Sequence, residues 1–171
     1  MTETPTFVSH LECGETGKHY PADQLHGLSD TGKPLLVRYD LDALAGAVSK
    51  DAVAARVPEF WRYREFLPVR RAENIVRLGE VMTPIIPLTK IAARLGATEI
   101  LVKDEGRLPT GSFKARGLAL AVSMAKELGV TRMAMPTNGN AGAALAAYCS
   151  RAGIETYVFC PDDTPDVNVR E

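Results

Sequence analysis

The chain has 171 residues, 46% hydrophobic and 24% charged, with 20 Lys and Arg against 21 Asp and Glu and a formal net charge of −1. That is enough chain for a folded core, and the charge balance excludes the basic footprint of a nucleic-acid binder and the polybasic patch of a membrane-surface protein. The start lacks a charged-then-apolar leader, no apolar run reaches spanning length, and three cysteines (Cys13, Cys149, Cys160) argue against a disulfide framework; a cytoplasmic protein with Cys149 and Cys160 as buried fillers is expected.

Residues 1–40 read as a turn-rich, irregular lead-in that closes on a strand-like run from Pro34 to Leu41. Cys13 with His10, His19 and His26 is a poor zinc set, because a structural zinc takes four ligands in tetrahedral reach. No metal is expected there, and the three histidines read as scattered surface residues. Residues 41–82 read as a helical segment: one or two short amphipathic helices up to about Arg56, capped at Asp40 or Asp42, then a stretch from Glu59 to Leu67 stopped by Pro68. Its aromatic cluster, Phe60, Trp61, Tyr63 and Phe66, has the spacing of packing residues rather than of a cofactor box.

From Leu88 the chain becomes rhythmic. Helix patterns ending at Gly96, Gly129 and Gly153 are each followed by a strand pattern, at 98–103, 131–136 and 156–160, and each glycine suits the left-handed position after a helix. Strands alternating with helices of this length predict βαβ units and a parallel sheet, hence an α/β fold with an irregular and helical lead-in. Ligands in such sheets bind beyond the carboxyl ends of the strands, where helix N-termini converge. The last residues, from Asp166 to Glu171, read as following a strand directly, with no terminal helix.

Two constellations fall at that edge. In the first, Lys103-Asp104-Glu105-Gly106-Arg107-Leu108-Pro109-Thr110-Gly111-Ser112-Phe113-Lys114-Ala115-Arg116-Gly117, the chain leaves a strand, crosses a Pro/Gly turn and enters a helix with Lys114 in its first turn. An amine beside the positive helix end and partly out of water is disfavoured as a cation and suited to Schiff-base chemistry. Thr110, Gly111 and Ser112 supply flexible backbone and hydroxyls for an anion. The second constellation, Pro136-Thr137-Asn138-Gly139-Asn140-Ala141-Gly142, offers glycines for close backbone approach and amide side chains at another helix start.

The first constellation resembles the cofactor-lysine segment of threonine synthases, pyridoxal-phosphate enzymes of the fold type II, tryptophan synthase β-like family, and the second resembles the family's Ser-x-Gly-Asn-x-Gly motif. The resemblance implies pyridoxal 5'-phosphate as cofactor, Lys114 as its catalytic anchor, and Asn140, with Phe113 and Gly139, in cofactor contact. Ser112, Thr137 and Asn138 fall on the substrate side. So does Thr83 in Gly79-Glu80-Val81-Met82-Thr83-Pro84, where relatives carry Gly-Glu-Gly-x-Thr-Pro. The implied reaction converts O-phospho-L-homoserine and water to L-threonine and phosphate; a threonine or serine dehydratase and a non-catalytic remnant or interaction module are the alternatives. Relatives also carry a four-cysteine zinc ribbon near the start, where this chain keeps Cys13 but has Thr16, Ser29 and Thr31 at the other positions. The resemblance makes 83–171 the first part of the cofactor domain, without the family's later phosphate loop, and leaves a homo-oligomer or a missing C-terminal part as the partners open to it.

Overall fold

The turns at Gly17 and Gly32 let residues 8–39 form an antiparallel sheet in the order β2-β1-β3, made of β1 (Val8–Cys13), β2 (His19–Tyr20) and β3 (Leu35–Tyr39). The lead-in is therefore a small sheet with turns rather than irregular chain. A bulge between Val8 and His10 breaks the period-two pattern of β1, which hides the strand in the sequence. This computed structural model describes residues 6–170, so positions 1–5 of the lead-in and Glu171 lie outside the described residues.

Two short helices follow, each capped as its sequence demands: Asp40 accepts from the Ala43 amide at the start of α1 (Leu41–Ala47), and Ser49 accepts from Ala52 at the start of α2 (Lys50–Ala54). The stretch Phe60–Phe66 is 3-10 helix kinked at Tyr63. Of its aromatics, Trp61 is buried in the core with Phe60 against it, whereas Tyr63 and Phe66 are exposed.

The rhythmic part keeps its helices and changes its sheet. Ile85–Pro87 forms β4, which α3 (Thr89–Leu95) connects to β5 (Leu101–Lys103), and these two strands pair antiparallel, Ile85 opposite Lys103. Then α4 (Lys114–Glu127) leads to β6 (Arg132–Pro136), and α5 (Asn140–Ala152) crosses over to β7 (Glu155–Phe159), which lies parallel to β6 in register from Arg132–Glu155 to Pro136–Phe159. One βαβ unit, β6-α5-β7, is thus formed, while β5 belongs to a separate two-stranded sheet. Gly96, Gly129 and Gly153 all have positive φ, as the helix ends require. A last short helix, α6 (Asp166–Arg170), stands where none was predicted; Pro165 at its start is the signal for it.

The core lies between α4 and α5. Ala115, Leu118, Ala119, Val122 and Ala125 form one stripe of α4, and Ala144, Leu145, Tyr148 and Cys149 face it from α5. The many alanines bring the two helices close, and burying a side chain such as Leu145 stabilises the fold by about 1.5–3 kcal/mol. Polar groups tie the irregular 69–83 segment to this pair. The Val76 amide donates to Ser123 Oγ at 2.9 Å, the Glu127 carboxylate accepts from the Arg70 and Arg71 amides, and the buried Tyr148 hydroxyl donates to Glu80 Oε1 at 2.5 Å. Desolvation first, and the Glu80 carboxylate second, push the Tyr148 phenol far above its ordinary range, so it stays a donor. Cys149 is buried as expected, but Cys160 is exposed because it lies just past the end of β7. Among the described residues, no helix is long and apolar enough to cross a membrane.

Candidate active site

Lys114 is the first residue of α4, after the two 3-10 turns Glu105–Arg107 and Pro109–Gly111. Between them and the helix the backbone turns sharply: Thr110 has φ 58°, and Gly111 also has positive φ. A left-handed conformation costs a residue with a Cβ about 1–2 kcal/mol, and strain of this kind concentrates at functional loops. Ser112 is buried, and its Oγ has no hydrogen-bond partner; neither has the buried Thr110 Oγ1. Two orphaned hydroxyls at the positive end of a 14-residue helix are suited to an anionic group. An anionic ligand, as both the implied cofactor and its substrate are, fits that donor set. Lys114 is half-buried, has no ion-pair partner among the described residues, and holds its Nζ 4.6 Å from the centre of the exposed Phe113 ring.

The helix entrance is anchored from behind. Arg116, two residues after Lys114, donates from Nε to Glu105 Oε2 at 2.6 Å and from Nη2 to Glu105 Oε1 at 2.9 Å. The buried Thr83 donates its hydroxyl to Glu105 Oε1 and accepts from Arg116 Nη2 at 3.3 Å, while Lys103 Nζ reaches the Thr83 carbonyl at 3.3 Å. Thr83, expected on the substrate side, has its hydroxyl engaged in this network. Lys103, the exposed last residue of β5, also joins it. The bidentate Arg116 bond, ahead of the burial that opposes it and the Thr83 bond that assists it, drops the Glu105 carboxyl from 4.5 to about 2. Glu105 and Arg116 are residues that motif reading passed over; a carboxylate and a guanidinium bracketing the lysine loop were the available signal.

The second constellation sits at the mouth of α5. Asn140 opens the helix and is exposed, Gly139 precedes it, and the Thr137 amide donates to the Phe159 carbonyl at 2.8 Å. Thr137, Asn138 and Gly139, with Val158, Thr164 and Asn168, line a cavity of about 150 Å³. Asn168 of α6 donates to the Asn138 carbonyl at 3.1 Å and so closes one side of the cavity, and Thr164 Oγ1 is another buried hydroxyl without a partner. Neither Lys114 nor Asn140 lines this cavity. The link between the constellations is the Pro109–Gly111 turn, which packs on α5 beside α4. Gly142 is required for a reason other than ligand approach: a Cβ there would stand 2.7 Å from Thr137 Cγ2 and 2.9 Å from Val158 Cγ1. Overpacking of this kind costs about 1–3 kcal/mol, against about 1 kcal/mol regained from helix propensity. Gly142→Ala is therefore expected to lower stability by about 1 kcal/mol and to displace Thr137, read as a lower denaturant midpoint with an altered amide resonance at Thr137.

A lysine thus stands at the entrance of α4, with two unpartnered hydroxyls in the turn before it and the start of α5 packed near that turn. Residues 76–171 match the family described as pyridoxal-phosphate dependent enzyme, and the chain belongs to that family. It is 38% identical over 150 residues to the threonine synthase of Methanocaldococcus jannaschii, covering 88% of this chain and 37% of that protein, and 36% identical over 153 residues to that of Methanosarcina acetivorans, covering 89% and 37%. The threonine synthase of Synechocystis sp. is 46% identical over 101 residues, covering 58% of this chain and 26% of that protein. The chain thus spans little more than a third of the length of the first two curated relatives it matches.

Proposed function

We propose that this chain carries the lysine side of a threonine synthase site, which converts O-phospho-L-homoserine and water to L-threonine and phosphate with pyridoxal 5'-phosphate held on Lys114. The observation that carries the reading is Ser112-Phe113-Lys114 at the entrance of α4, with a buried hydroxyl lacking a partner beside an amine lacking a counter-ion, in a chain of this family. When bound, the cofactor supplies an electron sink. Lys114 would hold it, and the lysine amine would carry protons to and from the substrate carbons. Phe113, Asn140 and Gly139 would contribute to holding the cofactor, Phe113 with an apolar surface and Asn140 with a polar side chain. Ser112, Thr137 and Asn138 orient the anionic substrate, and Thr83 acts through the Glu105–Arg116 pair. Residues 83–171 form part of the cofactor domain in this reading, following the 1–40 lead-in and the 41–82 helical segment, and the setting is cytoplasmic.

The test is a comparison of products from the cofactor-loaded protein. Phosphate released from O-phosphohomoserine, with no ammonia from threonine or serine, is the expected result. Ammonia release without phosphate would replace the reading with a dehydratase, and neither product from folded, loaded protein would make the chain a binding module.

A further inference from the structure

The sheet at the start of the chain brings together side chains that the sequence scatters. His10 and Glu12, two residues apart on β1, face the same side; His19 on β2 stands directly opposite Glu12 and therefore diagonal to His10. The two imidazoles stack with centroids 3.8 Å apart, and Glu12 Oε2 lies 3.9 Å from His10 Nε2 and 3.7 Å from His19 Nε2. One ligand atom from each of the three residues lies within 4.8 Å of the others. His26 stays apart, with its Nε2 on the Pro21 carbonyl.

The hydrogen bonds around His10 decide which of its nitrogens is free. Ser9 donates its single hydroxyl proton to the Arg38 carbonyl at 3.1 Å, so its Oγ can only accept from His10 Nδ1, 2.9 Å away. The proton of the neutral ring is therefore on Nδ1. His10 Nε2 carries a bare lone pair, is buried and has no partner, yet it faces a carboxylate oxygen. Arg38 supports the other side of the site: its Nη2 and Nε donate to Glu12 Oε1 at 2.5 and 3.1 Å, leaving Oε2 to the imidazoles. Two acceptors facing each other across 3.9 Å, too far apart to share a proton well, are the arrangement a cation satisfies.

We propose that His10, Glu12 and His19 form a binding site for a borderline divalent transition metal of the zinc type, with a fourth position open to water. Two imidazoles and one carboxylate match that class and not magnesium or calcium, which take oxygen donors. A tetrahedral ion with bonds of about 2.0–2.1 Å holds its ligand atoms roughly 3.3 Å apart. Closing that distance takes a shift of about 1 Å per side chain and, because the two rings are stacked at 30°, a turn of the exposed His19 ring to aim its lone pair at the ion. Ser9 on His10 Nδ1 and Arg38 on Glu12 Oε1 supply the outer hydrogen bonds that orient such ligands. The site is separate from Cys13, whose buried thiol points to the opposite face and sits among Ser29, Thr31 and Thr16.

The experiment is calorimetric titration of the whole protein with zinc chloride at neutral pH, with magnesium chloride as control and histidine ring resonances followed in parallel. Zinc is expected to bind at one equivalent per chain and to shift the His10 and His19 resonances but not those of His26. His10→Gln and His19→Gln are each expected to weaken binding by roughly tenfold or more, while Cys13→Ser leaves it unchanged. Absence of binding at millimolar zinc, binding that survives both histidine replacements, or binding lost in Cys13→Ser would each overturn the proposal. The resonance shifts in the unaltered protein decide the matter should a variant fail to fold.

Discussion

Replacing Lys114 by alanine is expected to reduce phosphate release from O-phosphohomoserine to background, a loss of about three orders of magnitude or more, as is usual when a covalent nucleophile is deleted, while stability stays the same or rises slightly. The two halves of this result have separate physical causes. Lys114 makes no ion pair among the described residues, its Nζ lies 4.6 Å from the centre of the Phe113 ring, and it stands at the positive end of α4. A cation there opposes the helix dipole by about 0.3–1 kcal/mol, and alanine is the better helix former. A lysine in service only to the fold would cost stability on removal. Phosphate assays and a thermal melt on the same preparation separate the two, and a melting temperature lowered by several degrees would contradict the account of Lys114.

Glu105→Ala is expected to act in the opposite sense, through the fold first. It removes the carboxylate that Arg116 grips with two bonds and Thr83 with a third, leaving the guanidinium without its partner. Breaking a fully buried pair costs about 3–5 kcal/mol; the side chains here keep 22% and 29% of their accessible surface, so solvent screens part of the loss and about 2 kcal/mol is expected. Because Arg116 is two residues beyond Lys114, the helix entrance loosens as well, and cofactor affinity should fall with stability. The same pair sets a pH dependence. Glu105 has a depressed carboxyl in the fold, about 2 against an ordinary 4.5, so its contribution is fully present above pH 4.5 and is lost as pH falls from there towards 2. Denaturant midpoints measured across that window should converge for Glu105→Ala and the unaltered protein at the acid end, and a constant gap would contradict the assignment.

The elements with strong local patterns were legible in the sequence. The α4 and α5 stripes, their terminal glycines, the Asp40 cap and the strands β6 and β7 fall within a residue or two of where periodicity puts them. What pairs with what was not legible. β4 is only three residues, Ile85–Pro87, preceded by Pro84 and ending on Pro87, so nothing in the sequence warned that β5 would pair with it antiparallel instead of joining β6. The β1 bulge hid the strand, and with it the convergence of His10, Glu12 and His19, which depends on cross-strand register. At the candidate active site, Lys114 at a helix entrance and Thr137 to Asn140 at another were readable from turn and helix signals. The Glu105–Arg116–Thr83 network was not, because side chains 11 and 33 residues apart meet only once the chain is folded.

The central claim is that Lys114 holds the cofactor, and the most direct measurement is site mapping. The protein is incubated with pyridoxal 5'-phosphate, reduced with borohydride, digested and read by mass spectrometry. A phosphopyridoxyl group on the peptide containing Ser112-Phe113-Lys114, absent from Lys114→Ala, is the predicted result. The same group on Lys103 or Lys90 with Lys114 unlabelled, or no label on folded protein saturated with cofactor, would contradict it.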